Sequence, residues 1–157
     1  LIIDMINSVR KFMTKEIAAV ASDHAGVDMK TVIKERLINL NFEVLDLGTN
    51  TAASVDYPDF AEAVAIALEE KKASCGVLIC GTGIGISMAA NRHRHVRAAL
   101  CHSGTDAMFA RAHNDANVLV LGARTTGIEI ALDCLNLFLR TPFEGGRHQR
   151  RVSKFSL

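Results

Sequence analysis

The segment Gly76-Val77-Leu78-Ile79-Cys80-Gly81-Thr82-Gly83-Ile84-Gly85 decides the fold class of this chain. Its apolar start reads as a buried strand and its alternating glycines as a turn. The Ile86-Ser87-Met88-Ala89-Ala90-Asn91 that follows reads as a helix. Glycines permit left-handed dihedrals and a close approach of backbone to ligand. The start of a helix offers unpaired N–H groups and the positive end of the dipole, which suit an anion. The turn opens on a thiol and contains a hydroxyl, so the first expectation is a small anionic substrate seated over Cys80.

The same grammar repeats on both sides. Upstream, Ile17 to Ala21 is an apolar run that ends in Ser22-Asp23-His24-Ala25-Gly26. From about Val27 to Leu40 a helical pattern puts Met29, Val32, Ile33, Leu37 and Leu40 on one face, with Lys30, Lys34 and Arg36 elsewhere. Phe42 to Leu47 reads as a second strand and Gly48 to Tyr57 as a polar loop. Pro58 fits the first turn of a helix that runs to about Lys72 and buries Phe60, Val64, Ala67 and Leu68. Downstream, Val96 to Cys101 and Asn117 to Leu121 read as strands four and five. Gly104 to Ala112 reads as a short helix, Gly127 to Leu139 as a strongly apolar one, and Arg140 to Leu157 as a tail.

Strands that alternate with helices and read as continuous apolar runs predict a parallel sheet covered on both faces. The expected fold is α/β, a three-layer αβα Rossmann-like arrangement around five parallel strands, with right-handed crossovers. Ligands of such folds bind beyond the carboxyl ends of the strands, near a switch in strand order. Asp23, His24, Cys80 to Gly85, His102, Ser103 and Gly122 to Arg124 all fall there. The expected organisation is an N-terminal extension over residues 1–16 and one domain over 17–157 that includes the basic tail.

Composition narrows the function. Of 157 residues 49% are hydrophobic and only two are proline, which argues for a packed globular chain. A net charge of +1 gives no reason to expect nucleic acid or a membrane surface as partner. No apolar run approaches the roughly 20 residues that span a bilayer. The segment from Leu1 to Met13 contains Asp4 and matches a signal peptide poorly; it reads as a helical extension or as sequence upstream of a start at Met13. The four cysteines show neither CxxC spacing nor a disulfide framework. Cys75, Cys101 and Cys134 lie in apolar runs and read as buried thiols of a cytoplasmic protein.

Each candidate for chemistry also has a plain structural reading. Cys80 is either a buried strand-end thiol or, ahead of a helix N-terminus, a reactive one. Thr82 either caps that helix or touches substrate. Gly81, Gly83 and Gly85 form G-x-G-x-G after the third strand, not the G-x-G-x-x-G that follows a first strand, so a dinucleotide is disfavoured. Asp23-His24 is a helix cap or a pair suited to proton transfer and anion binding. His113-Asn114-Asp115 is a polar turn or part of a site. Arg147 and Arg151, four apart, would share one helical face. They belong to a solvated tail or, with Arg124, to a phosphate clamp. His93 and His95 alternate with Arg92 and Arg94 without a pattern of Cys or carboxylate for zinc.

Six segments acquire meaning together: ASDHAG (Ala21 to Gly26), SVDYPDFA (Ser54 to Ala61), ICGTGIGISMAANR (Ile79 to Arg92), RAAL (Arg97 to Leu100), AHNDANVL (Ala112 to Leu119) and FEGGRHQRRV (Phe143 to Val152). In number, order and spacing they resemble the type B ribose-5-phosphate isomerases of the ribose/galactose isomerase superfamily, from Ile17 to about Val152. The resemblance implies interconversion of an aldose phosphate and a ketose phosphate through an enediolate, without metal or organic cofactor. Cys80 would be the base that carries the proton between C1 and C2. Some members use a glutamate further along the loop; here Ser87-Met88 follows Gly85 and Ile86, so the chain is similar to the cysteine type. Thr82 and the amides of Gly81, Gly83, Ile84 and Gly85 would stabilise the enediolate oxygen. His113, with Asp23 close by, would open the furanose ring, and Asn114 would hold a sugar hydroxyl. His24, Arg124, Arg147 and Arg151 would bind the phosphate.

The resemblance further implies a homodimer, or a tetramer, whose active sites draw residues from two subunits. The apolar helix from Gly127 to Leu139 is a candidate contributor to that contact. One local departure is His95, where the family usually has glycine before the fourth strand. The expected reaction is ribose 5-phosphate to ribulose 5-phosphate in the pentose phosphate pathway. Allose 6-phosphate, galactose 6-phosphate and a tetrose phosphate stand as other substrates. A non-catalytic sugar-phosphate-binding domain and a cysteine hydrolase stand as readings of another class; the former would need no thiol, and the latter needs a histidine paired with Cys80.

Overall fold

Five apolar runs become five parallel strands: β1 (Ile17–Ser22), β2 (Glu43–Asp46), β3 (Cys75–Cys80), β4 (Ala98–Leu100) and β5 (Val118–Gly122). The structure is a computed structural model that describes residues 2–3 and 14–156, so the extension expected over 1–16 lies mostly outside the described residues. From residue 14 onward the described residues form the helices α1 (Val27–Asn39), α2 (Tyr57–Glu69), α3 (Ile84–Ala90), α4 (Gly104–Ala112), α5 (Ile128–Arg140) and α6 (Arg147–Val152), with a 3-10 turn at His24–Gly26. The strand order is β2-β1-β3-β5-β4. The chain moves outward from β1 to β2 and then resumes on the other side of β1 at β3. The switch in direction therefore lies between β1 and β3, where a crevice opens at the carboxyl edge.

Strand residues divide cleanly between the two faces. Ala18, Val20, Val77, Ile79, Leu119 and Leu121 pack under α1, α4 and α5. Ala19, Ala21, Leu78, Cys80, Val118 and Val120 pack under α2 and α3. Both faces are covered, which is why these strands lack polar alternation. Truncating a side chain such as Leu78 or Leu121, neither of which is exposed, to alanine would cost about 2–5 kcal/mol.

The edge strand β4 is shorter than the Val96 to Cys101 run suggests. Val96 belongs to the preceding turn through its amide bond to the His93 carbonyl (3.0 Å). Asn91 then takes up the outer side of β4: its Nδ2 donates to the Ala98 carbonyl (2.9 Å) and its Oδ1 accepts the Ala98 amide (2.8 Å). One side chain thus stands in for a missing strand. His95 anchors the same turn to α2, its Nε2–H donating to the Ala65 carbonyl (2.7 Å).

Two sequence readings need correction. Lys30 is not on an outward face of α1; it is 1% exposed, while Leu40, expected inside, is 42% exposed beyond the helix end. Periodicity alone misplaced Lys30 because a carboxylate on β2 receives its ammonium: Nζ lies 2.7 Å from Asp46 Oδ1. Within the tail the helix that puts Arg147 and Arg151 on one face is present: Arg147 to Val152 form α6, with His148 and Val152 turned inward. The thiols of Cys101 and Cys134 are buried and that of Cys75 is half-buried. Burial pushes Cys101 up to about 12 and Cys75 and Cys134 up to about 11, which leaves all three as inert packing groups. Among the described residues no helix is long and apolar enough to cross a membrane.

Candidate active site

The carboxyl edge of the sheet assembles one group of the expected residues by register alone. Ser22 pairs with Ile79 and Cys80 with Gly122. Asp23 therefore emerges beside Cys80, its amide bonded to the Ile79 carbonyl (3.1 Å). On the other side the Ala123 amide donates to the Cys80 carbonyl and the Arg124 amide to the Gly81 carbonyl, both at 2.8 Å. The Arg124 guanidinium lies against the loop, since a Cβ on Gly81 would stand 3.1 Å from its Nη1.

Within the loop, the Gly83 amide donates to Cys80 Sγ at 3.1 Å, and Cys80 is only 4% exposed. The N–H aimed at sulfur makes Sγ an acceptor held against the loop amides. The loop reaches this geometry because Gly83 adopts φ 77° as the residue that caps α3. The Ile84 amide donates to Thr82 Oγ1 (3.3 Å), so Thr82 supports the helix start while its residue stays exposed at the cleft. Of the first-turn amides of α3, Gly83 and Ile84 thus have partners here, and those of Gly85 and Ile86 have no acceptor within the helix. The ring of Tyr57 covers Gly85, where any Cβ would meet its Cζ at 2.5 Å.

Asp23 and His24 each take a definite hydrogen-bonding role. Asp23 Oδ1 accepts the Ala25 amide (2.9 Å) and caps the 3-10 turn. His24 Nδ1 accepts the Val55 amide (3.3 Å), so the proton of its neutral ring sits on Nε2.

His113 and Asn114 are not part of this group within one chain. His113 terminates α4, and β5 begins only at Val118, so the pair sits at the amino edge of the sheet, opposite Cys80. His113 and Asp23 consequently do not meet inside the chain. The tail gathers at the same amino edge: the Glu144 amide donates to the Ala112 carbonyl (3.0 Å), and Arg97 at the foot of β4 donates to Ser156 Oγ (2.8 Å). Arg147 and Arg151 lie one turn apart on the exposed face of α6.

Sequence reasoning passed over Glu144 and His148, which build this second group. The His148 ring stacks on His113 with centroids 4.3 Å apart and planes 10° apart, and Phe109 stacks on the other side of His113 at 4.7 Å. Glu144 Oε2 lies 3.6 Å from His148 Nε2 and 3.9 Å from His113 Nε2. Burial first, then the positive charge of His113 and Arg147 and, least, of Arg151, holds the His148 imidazolium below its ordinary range, with Glu144 pulling the other way. The spacing Glu144–His148 was a readable hint, but the stacking on His113 is tertiary.

Donor atoms of His113, Glu144 and His148 all lie within 4.8 Å of one another. They are poorly arranged for a metal. A ring nitrogen binds an ion in the ring plane at about 2.1 Å, and two nearly parallel rings 4.3 Å apart share no such point. The arrangement suits stacking and proton exchange with a carboxylate.

Comparison with known proteins places these two groups in context. Residues 18–155 match the model of a family described as Ribose/Galactose Isomerase. A protein of Rickettsia conorii, named provisionally and only as a sugar phosphate isomerase, is 49% identical over 135 residues that cover 86% of this chain and 94% of that protein. Ribose-5-phosphate isomerase B of Escherichia coli is 42% identical over 134 residues, covering 85% of this chain and 90% of that one. The crystal structure of ribose-5-phosphate isomerase B from Mycoplasma genitalium with bound ribulose-5-phosphate superposes with a TM-score of 0.84 at 45% identity, over 88% of this chain and 92% of that chain.

Proposed function

The chain belongs to the ribose/galactose isomerase family and is a sugar phosphate isomerase, an intramolecular oxidoreductase; from that premise we propose that it interconverts ribose 5-phosphate and ribulose 5-phosphate with Cys80 as the base. The observation that carries the reading is the 3.1 Å bond from the Gly83 amide to Cys80 Sγ. It holds the sulfur of the proposed base at the topological switch point, against a loop amide that donates to it. A relative 45% identical that binds ribulose-5-phosphate supports the choice of pentose.

In the proposed reaction the Cys80 thiolate removes the proton from C2 of the open-chain aldose. The electron pair moves into a C1–C2 enediolate, and the developing oxyanion is held by amides at the start of α3 and by Thr82. Sulfur returns the proton to C1 while the oxygens exchange theirs, so C2 is oxidised and C1 reduced with no external electron carrier. Asp23 faces the same carbons from β1. His24 and Arg124 hold the phosphate from this subunit. Binding energy from the phosphate serves to position the reacting carbons.

His113, Asn114, Arg147 and Arg151 come to this cleft from a second copy. In a twofold contact, patch meets patch reciprocally. Exposed apolar residues flank both groups: Ile84 and Met88 on α3 beside the Cys80 loop, and Phe109 on α4 beside His113. Pairing α3 of one copy with the Phe109–His113 end of the other would complete two sites at once. The apolar helix α5 is less suited to that task, because Ala131, Cys134, Leu135 and Phe138 already face its own core. Across the interface His113 opens the furanose ring, Asn114 holds a hydroxyl, and the two arginines close on the phosphate.

The test is aldose–ketose conversion across pentose, hexose and tetrose phosphates, with Cys80→Ala alongside. The expected result is highest kcat/KM on ribose 5-phosphate and a loss of about 10³-fold in kcat for the variant, with inorganic phosphate still competing. Full turnover in Cys80→Ala would remove the base from this assignment, and a preference for hexose phosphates would move the substrate.

A further inference from the structure

We infer that Lys30 is a positioning residue for the phosphate end of the substrate: its buried ammonium fixes the loop after β2 so that the Val55 amide holds His24 with its proton on Nε2. The inference rests on the reading of His24 as a phosphate ligand.

The connections run through named atoms. Lys30 rises from the first turn of α1, just after the turn that carries His24. Its Nζ donates to Asp46 Oδ1 (2.7 Å) and to Asn50 Oδ1 (2.9 Å). Asp46 Oδ1 also accepts the Gly48 amide (3.0 Å), and Asp46 Oδ2 takes Lys34 (2.6 Å). The Ser22 amide donates to the Gly48 carbonyl and the Thr49 amide to the Ser22 carbonyl, both at 2.7 Å. The near half of the loop is thus welded to the end of β1 and to Lys30. Its far half returns to the 3-10 turn after β1 through the Val55 amide on His24 Nδ1 (3.3 Å). Among the described residues, the Lys30–Asn50 bond is the tie to the protein interior between Thr49 and Val55. A cation that is 1% exposed requires good partners in exchange for its lost hydration. Here a carboxylate and a carboxamide on one loop supply them, so loop position and lysine burial are coupled.

The consequence for His24 is chemical. With Nδ1 occupied as an acceptor, the Nε2–H is free to donate to an anionic oxygen. If the loop shifts and the Val55 amide withdraws, the ring samples both tautomers and the phosphate loses a fixed donor. This predicts weaker phosphate binding with turnover of bound substrate retained, the pattern of a group that acts on ground and transition state alike.

Lys30→Met keeps much of the buried aliphatic volume and removes the charge. Two readouts are taken on the full-length protein: the ¹⁵N-detected tautomer of His24, and the Kd of inorganic phosphate, with KM and kcat for ribose 5-phosphate beside them. The expected result is a mixed His24 tautomer, and Kd and KM each raised about tenfold with kcat within about threefold. Lys34→Met, which loses a bond to the same carboxylate but none to Asn50, should leave Kd and the tautomer as in the wild type. Should Lys30→Met fail to fold, Asn50→Ala removes the loop half of the tie from an exposed position and should raise Kd in the same way, while Asn50→Asp, which keeps an acceptor, restores it. Unchanged tautomer and phosphate Kd in folded Lys30→Met or Asn50→Ala would overturn the inference. Because tautomer and phosphate Kd do not depend on turnover, an inactive wild type would refute the assigned reaction while these two readouts still decide the role of Lys30.

Discussion

Cys80 and His113 stand at opposite ends of β5: Cys80 is in register with Gly122 at its carboxyl end, and His113 precedes Val118 at its amino end. At about 3.3 Å per residue the strand alone separates them by about 13 Å, too far for one substrate within one chain. Mixing Cys80→Ala and His113→Ala proteins under conditions that exchange subunits should therefore restore activity. Half of the dimers would be mixed and each would have one intact site, so about a quarter of wild-type activity is expected. Demonstrated subunit exchange without recovery would place the complete site within one chain.

Gly83 combines a positive φ of 77° with a Cβ position 2.4 Å from Leu100 Cδ1 and 3.1 Å from the Leu121 carbonyl carbon. Gly83→Ala is expected to destabilise by about 2–4 kcal/mol in urea unfolding. It should also lower turnover, because the amide that supports Cys80 Sγ must move. Gly127 has open space around its Cβ and an ordinary φ of −70°, so Gly127→Ala should change stability by less than about 0.5 kcal/mol.

Asp46 gives an acid-stability prediction. Burial raises its carboxyl, but hydrogen bonds from Lys30, Lys34 and the Gly48 amide outweigh burial and bring it from 3.8 to about 2. The carboxyl is held lower in the folded chain than in the unfolded one. Its contribution of about 2 kcal/mol is therefore fully present above pH 3.8 and disappears as pH falls through the interval down to about 2. The stability gap between wild type and Asp46→Asn, measured by urea midpoint, should narrow across that interval; a gap independent of pH would contradict it.

Arg147 lies on the exposed face of α6. Arg147→Ala should raise KM for the sugar phosphate about tenfold and change kcat by less than about threefold. Arg140→Ala, at the end of α5, serves as a matched loss of charge and should leave both constants alone. An unchanged KM in Arg147→Ala would make the tail ordinary solvated surface.

Much of the architecture could be read without coordinates, for physical reasons that differ by element. β1, β3 and β5 are buried on both faces, so each must be a short unbroken apolar run between polar or glycine turns. The carboxyl-edge residues followed automatically, because parallel strands in register bring their ends together: Asp23, Cys80 and Arg124 needed no tertiary knowledge to be grouped. Lys30 was misread because helical periodicity scores a lysine by its own polarity, while its burial depends on Asp46, sixteen positions away. Val96 looked like strand because its apolar side chain is buried, although its backbone belongs to a turn. His148 escaped because its significance is a ring stacked on His113, and a stack leaves no mark in local spacing. The separation of His113 from Cys80 is itself a consequence of topology, since a crossover helix must return to the amino edge before the next strand begins.

The carboxamide of Asn91 on the outside of β4 has a consequence for how copies can join. Backbone groups of a parallel edge strand point outward at alternate residues, and in a strand that runs only from Ala98 to Leu100 both groups of Ala98 are already engaged. Leu100 is left as the single outward-facing unit, too little to template a continuing ladder. Subunits meeting at this border must recognise each other through side-chain relief instead of hydrogen-bonded zippering. Any pairing of copies there is then sensitive to shape, which guards this border against indiscriminate sheet extension.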